Sequence, residues 1–128
     1  MGAHSPQEAI GQLAQAVNRG DLEAAVALYE PGATFVAEPG QLAAGTAAIR
    51  AALAGFINLK PTLTIGKSAV VEAGDVALLC STWSLSGTAP GGIPVSMGGT
   101  SADIVRRRAD GQWRIAVDNP WGTAILTG

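Results

Sequence analysis

The chain has 128 residues, a formal net charge of −2 and a pI near 5.2; 14% of it is charged and 48% hydrophobic. That length fits one domain able to bury a core without disulfides or metal, and the acidic balance excludes the basic face that nucleic-acid binding requires. Average chains are about 25% charged, so the shortage of charge and a mean hydropathy of +0.28 point to an apolar cavity and to a face hidden in an oligomer.

Ser5, Pro6 and Glu8 read as the start of a helix over residues 5–18, because a Ser with an acid three residues on is a capping pair and Pro suits the first turn. Ile10, Leu13, Ala14 and Val17 give it one apolar stripe. Asp21 predicts the cap of a second short helix over residues 22–29, with Leu22, Ala25, Val26 and Tyr29 on one face and Pro31-Gly32 ending it. Residues 33–38, "ATFVAE", predict a strand closed by Pro39-Gly40. A third helix follows from Thr46 to Phe56, with Ile49, Leu53 and Phe56 facing inward.

The period then changes to two. Strands are predicted over residues 63–74, 75–87, 102–108 and 112–119, with turns at Gly74-Asp75 and Asp110-Gly111. Residues 86–100 are rich in Gly and Pro and read as a flexible hairpin or pocket rim with a short strand near Ile93–Met97. They contain neither a G-x-G-x-x-G nor a Walker A lysine, so no phosphate cradle is expected. Helices followed by a run of strands give an α+β fold, with three helices on one face of a curved antiparallel sheet.

Strand alternation sorts the candidate inner faces. Leu79, Ser81, Trp83 and Leu85 share one face of their strand, and Asp103, Val105 and Arg107 share one face of theirs. In the last strand the apolar set Trp113, Ile115 and Val117 points inward and carries Asn119 with it. Asp118 falls in the opposite set and reads as a residue that fixes the terminal turn. Arg106-Arg107-Arg108 alternate between faces and form no single cationic patch.

One histidine and one cysteine exclude the usual zinc sets and a Ser-His-Asp arrangement. His4 lies in an N-terminus expected to fray, and Cys80, inside "VALLCSTW", reads as buried packing. No carboxylate spacing matches a calcium loop, so no metal or cofactor is expected. No apolar run approaches the roughly 20 residues that cross a bilayer, and no secretory leader is visible; the expectation is a cytoplasmic protein with no membrane and no nucleic-acid partner.

The stretch "NRGDLEAAVALYEPGATFVAEPGQLAAGTAAIRAAL" resembles the ketosteroid isomerase and SnoaL-like polyketide cyclase families of the nuclear-transport-factor-2-like superfamily. "RRRADGQWRIAVDNPWG" resembles small bacterial SnoaL-like proteins. The resemblance implies a cystatin-like cone, a deep apolar pocket and a homodimer formed through the outer face of the sheet. It also implies catalytic roles. Glu38, the acid before Pro39 at the end of the first strand, would move the proton, and Asp103 would be a neutral hydrogen-bond donor. The first helix carries no tyrosine, which argues against steroid isomerisation itself.

The remaining pocket candidates are Tyr29, Trp83, Asn119 and Trp121, and the implied ligand is a small hydrophobic molecule. Each acid also has a plain structural reading: Glu38 as an exposed strand end or a partner of Arg50, Asp103 as a partner of Arg107. At the level of sequence three functions stay open. They are proton-transfer chemistry of an isomerase, cyclase or dehydratase kind, non-catalytic binding of an apolar metabolite, and a structural dimer module.

Overall fold

The computed structural model describes residues 2–127. Three helices, α1 (Pro6–Asn18), α2 (Leu22–Val26) and α3 (Thr46–Ile57), accompany six strands in one sheet. The strands are β1 (Tyr29–Glu38), β2 (Gln41–Ala44), β3 (Thr62–Ala73), β4 (Val76–Ala89), β5 (Ile93–Arg107) and β6 (Trp113–Asp118), arranged in the order β2-β1-β6-β5-β4-β3. Every pairing is antiparallel except β1 with β6, which is parallel. The α+β class holds, with that one parallel pair as the exception to an antiparallel sheet. No helix among the described residues is long and apolar enough to cross a membrane.

The start of α1 follows its sequence signal. Ser5 Oγ accepts from the Glu8 N–H at 3.1 Å, and Glu8 Oε1 reaches back to the His4 N–H at 3.2 Å. The N-terminus is tied down rather than frayed: Ala3 is fully buried and its carbonyl accepts from the Trp113 N–H at 2.9 Å. The second helix is shorter than its apolar stripe predicts. It ends at Val26, and Tyr29 instead opens β1 opposite Ile115 of β6, where pairing with a buried strand outweighs local helix preference. Pro31-Gly32 is therefore an irregularity inside β1.

Pro39-Gly40 does not lead into a loop. With Gly40 at φ +84° it forms the tight turn into β2, a strand the sequence did not announce. The Gly/Pro-rich stretch is a hairpin, as expected, but its two arms are regular strand up to Ala89 and from Ile93.

The inner face of the sheet and the helices enclose one core. Ala77, Leu79 and Leu85 of β4, Val105 of β5, Trp113 and Ile115 of β6, and Ile49 and Leu53 of α3 are all buried. The alternation expected for β4 and β5 is observed. The outer face is open: Cys80 is half-buried there rather than packed in the core. Register shifts in β1, β3 and β6 mark bulges, each of which adds local twist and helps the open sheet curl around the helices.

Candidate functional site

The curled sheet and the helices leave an apolar cavity of about 80 Å³. Helix α1 contributes Ile10, Leu13 and Val17, and α3 contributes Leu53 and Phe56. The strands bring Tyr29, Phe35, Trp83, Asp103 and Asp118, and the segment after β6 adds Pro120 and Trp121. Two carboxyls thus stand at the wall of a cavity that is otherwise nearly all carbon.

Asp103 reaches the cavity because it lies on the inner face of β5, paired across to Leu79. Asp118 arrives by a different route. Val105 pairs with Ile115, but Ile104 pairs with Val117, so Ala116 is one residue too many on β6. That bulge reverses the alternation: Trp113 and Ile115 face inward as expected, then Asp118 rather than Val117 is buried. The strand-alternation reading placed Asp118 outside, and the bulge overturns it.

Asp103 has no exposed surface and Asp118 is 5% exposed. The Asn119 N–H donates to Asp103 Oδ1 at 2.8 Å, while Asp103 Oδ2 has no donor to meet it. Burial pushes the Asp103 carboxyl up to about 8, and the Asp118 carboxylate beside it adds to the rise. Burial also raises Asp118, to about 6, with hydrogen bonds from Tyr29 and Asp103 limiting the rise. Near neutral pH, Asp103 is therefore the protonated member and donates to Asp118, which also accepts the Tyr29 hydroxyl. Burial and the two acids hold the Tyr29 phenol well above its ordinary range. Neighbouring acids whose environments drive their protonation apart are the recurrent form of an acid–base pair.

The structure brings together four of the six residues singled out in the sequence. Tyr29, Asp103, Trp83 and Trp121 all line the cavity. Trp83 and Trp121 meet edge to face at 5.5 Å, and their indole N–H groups donate to the carbonyls of Pro120 (2.6 Å) and Val36 (2.9 Å). Asn119 is buried but does not line the cavity. Its side chain holds the chain after β6, donating to the Gly122 carbonyl at 3.1 Å and accepting from the Trp121 N–H at 3.3 Å.

Glu38 is not in the cavity. Ala37 bulges out of the β1–β2 ladder, and Glu38 sits exposed at the turn. Glu38 and Asp103 do not share a site. Arg50 pairs with Glu23 at 2.9 Å rather than with Glu38, and Arg107 pairs with Asp75 rather than with Asp103. The other two arginines of the run clasp the buried Glu30, at 2.9 and 2.8 Å.

No group of three or more His, Cys, Asp or Glu among the described residues could hold a metal ion.

Comparison with known proteins fits this geometry. Residues 10–116 match the family model of the SnoaL-like domain. No curated protein matches. The chain superposes on a nuclear transport factor 2-like superfamily protein from Salmonella enterica serovar Typhimurium LT2 with a TM-score of 0.80 at 18% identity, covering 90% of this chain and 86% of that one. An NTF2-like protein with a cystatin-like fold from Novosphingobium aromaticivorans gives 0.74 at 22% identity, covering 87% and 75%. The epoxide hydrolase/cyclase-like enzyme SalBIII, which acts in pyran ring formation in the polyether salinomycin, gives 0.71 at 20% identity, covering 88% and 85%. At these identities the likeness is one of fold.

Proposed function

The chain belongs to the SnoaL-like domain family, and from that premise we propose that it catalyses proton transfer on a small, neutral, oxygen-bearing hydrophobic molecule. Asp103 donates the proton and Asp118 removes one. The observation that carries this reading is the split pair of buried carboxyls at the wall of a carbon-lined cavity, one pushed to about 8 and the other to about 6. Between those values one acid holds a proton while its neighbour is an available base, which is what isomerisation, dehydration and ring closure each need. SalBIII is named for epoxide hydrolase/cyclase-like chemistry, a class in which one oxygen gains a proton as another group loses one. Tyr29 holds the base, and Trp83 and Trp121 shape the wall.

A cavity of about 80 Å³ is smaller than the roughly 150 Å³ that accommodates benzene in an engineered core. A molecule of a few carbons fits without moving the wall, and a larger one must displace it. Non-catalytic binding is favoured by one specific feature, the complete burial of Asp103.

The test is a panel of a small enolisable ketone, a β-hydroxy ketone and an epoxy alcohol, incubated in D2O and followed by NMR. Turnover or deuterium uptake that disappears in Asp103→Asn and in Asp118→Asn, and survives in Glu38→Gln, supports the acid–base reading. Binding of the panel without turnover would favour the non-catalytic reading, and loss of activity in Glu38→Gln alone would move the chemistry to the β1–β2 turn.

A further inference from the structure

The cavity is unusual in what surrounds the acid pair. The chain has six aromatic side chains, one Tyr, two Phe and three Trp, and five of them, Tyr29, Phe35, Phe56, Trp83 and Trp121, line this one space. Only Trp113 lies elsewhere. No Lys, Arg or His is on the wall. Arg106, Arg107, Arg108 and Arg114 are engaged elsewhere, with Glu30, Asp75 and Asp110. The titratable groups facing the cavity are Tyr29 from β1, Asp103 from β5 and Asp118 from β6.

A buried carboxylate without a cation is costly, because low-dielectric surroundings do not replace its hydration. Asp118 meets that cost with two hydrogen-bond donors, and Asp103 meets it by keeping its proton. Asp103 Oδ2 remains without a donor. Ring faces are electron-rich, and a ring of them with a carboxylate behind is the arrangement that recognises ammonium groups.

We propose that the cavity binds small lipophilic ammonium ions, held by Asp118 and Asp103 Oδ2 within the aromatic ring of the wall. This rests on the reading of the cavity as a ligand site and adds a ligand class to it. The ammonium N–H groups donate to Asp118 and to Asp103 Oδ2, and the alkyl part packs on Phe35, Phe56 and Trp83. Binding draws the proton off Asp103 and releases it to solvent, so two carboxylates face one cation. The same wall rejects carboxylates, which would add a third negative group. Release of one proton makes the affinity rise with pH, by up to about tenfold per pH unit below the point where Asp103 ionises unaided.

The experiment compares three ligands of similar shape, tert-butylammonium, tert-butanol and pivalate, by titration against the indole N–H signals of Trp83 and Trp121. Each is run near pH 6 and near pH 8, where the amine stays protonated. The expected order is ammonium over alcohol over carboxylate, with the ammonium affinity rising about tenfold or more across that range and the alcohol unchanged. If the alcohol binds as tightly as the ammonium at both pH values, the cation proposal is overturned while the apolar ligand site stands. If none of the three moves either indole signal, the cavity is not a site for small ligands, and the reading beneath the proposal falls with it.

Discussion

Replacing Asp103 by Asn should stabilise this protein, although the residue is wholly buried. Unfolded Asp103 ionises near its ordinary 3.8, whereas the folded carboxyl holds its proton up to about 8. At pH 7 folding must therefore return a proton to it. Across the roughly three pH units between the unfolded value and neutrality, at about 1.4 kcal/mol each, that costs about 4 kcal/mol. Asn carries no such cost and keeps both contacts. Its amide donates to Asp118, and its carbonyl accepts the Asn119 N–H that Asp103 Oδ1 accepts at 2.8 Å. Some of the gain is lost because an amide is a weaker donor than a carboxylic acid, so the expected net gain at pH 7 is about 2–4 kcal/mol.

The sign with pH follows from proton counting. A carboxyl raised by folding binds more protons folded than unfolded, so the Asp103 contribution to stability is highest below about 4 and falls as pH rises towards 8. Asp118, raised to about 6, adds a fall of the same sign between about 4 and 6. The Asp103→Asn substitution removes the Asp103 share, so its advantage is absent at about pH 4 and full by about pH 8. Urea unfolding at about pH 4, 6 and 8 reads this directly: at neutral pH the midpoint should rise by about 1–2 M with the slope unchanged. If Asp103→Asn is less stable than wild type at neutral pH, or if the difference does not change with pH, Asp103 is ionised in the folded protein and the acid–base pair is wrong. A variant that gains stability and loses chemistry is the usual sign of a site held in a costly state.

Tyr29→Phe removes a hydroxyl that holds the Asp118 carboxyl down. A hydrogen bond to a charged group is worth about 1.5–3 kcal/mol, so Asp118 should titrate about one to two pH units higher by carbon-13 NMR of its carboxyl; an unmoved titration would disconnect the phenol from the pair. Gly87→Ala should destabilise by about 1–3 kcal/mol, since the new Cβ would lie 2.8 Å from the Leu59 backbone carbonyl, and a melt within error of wild type would show that the α3–β3 connection yields freely. On the outer face of the sheet Val71, Leu78 and Ile104 form a cross-strand apolar row, with Val71 66% and Leu78 40% exposed. We take this row as the pairing face of a homodimer, so sedimentation should show Leu78→Asp as a monomer where wild type is a dimer, and a monomeric wild type would remove the idea.

The fold was legible where local chemistry and tertiary packing agree. The Ser5 cap, the Ile10–Leu13–Val17 stripe of α1 and the Ile49–Leu53 face of α3 all appear where periodicity puts them. It was not legible where distant pairing decides. Tyr29 completes a helical stripe on paper, yet it pairs with Ile115, a residue 86 positions away. Strand β2 has four residues, and nothing in "QLAA" signals a strand until β1 is present to bond it. Long-range backbone hydrogen bonds leave no mark at their own positions.

For the site, resemblance pointed to Asp103 and alternation gave its face, but the choice of partner failed. Glu38 occupies the right place in the chain and the wrong place in space, because a bulge at Ala37 and the Pro39-Gly40 turn carry it to the surface. Asp118 is the reverse: its position in the strand argues against it, and the extra residue at Ala116 turns it inward. A bulge has no reliable residue signature, since an unpaired alanine looks like any other alanine in a strand. The signal that was available is one of cost. The chain has few charges, and an acid at the end of an apolar strand, "WRIAVD", needs either solvent or a partner. In the structure Asp103 lies inward on the neighbouring strand, and an inward proton-holding acid is a partner for a second one. Strict alternation is thus right for Trp113 and Ile115 and inverted for Asp118, and the acid pair exists because of that inversion.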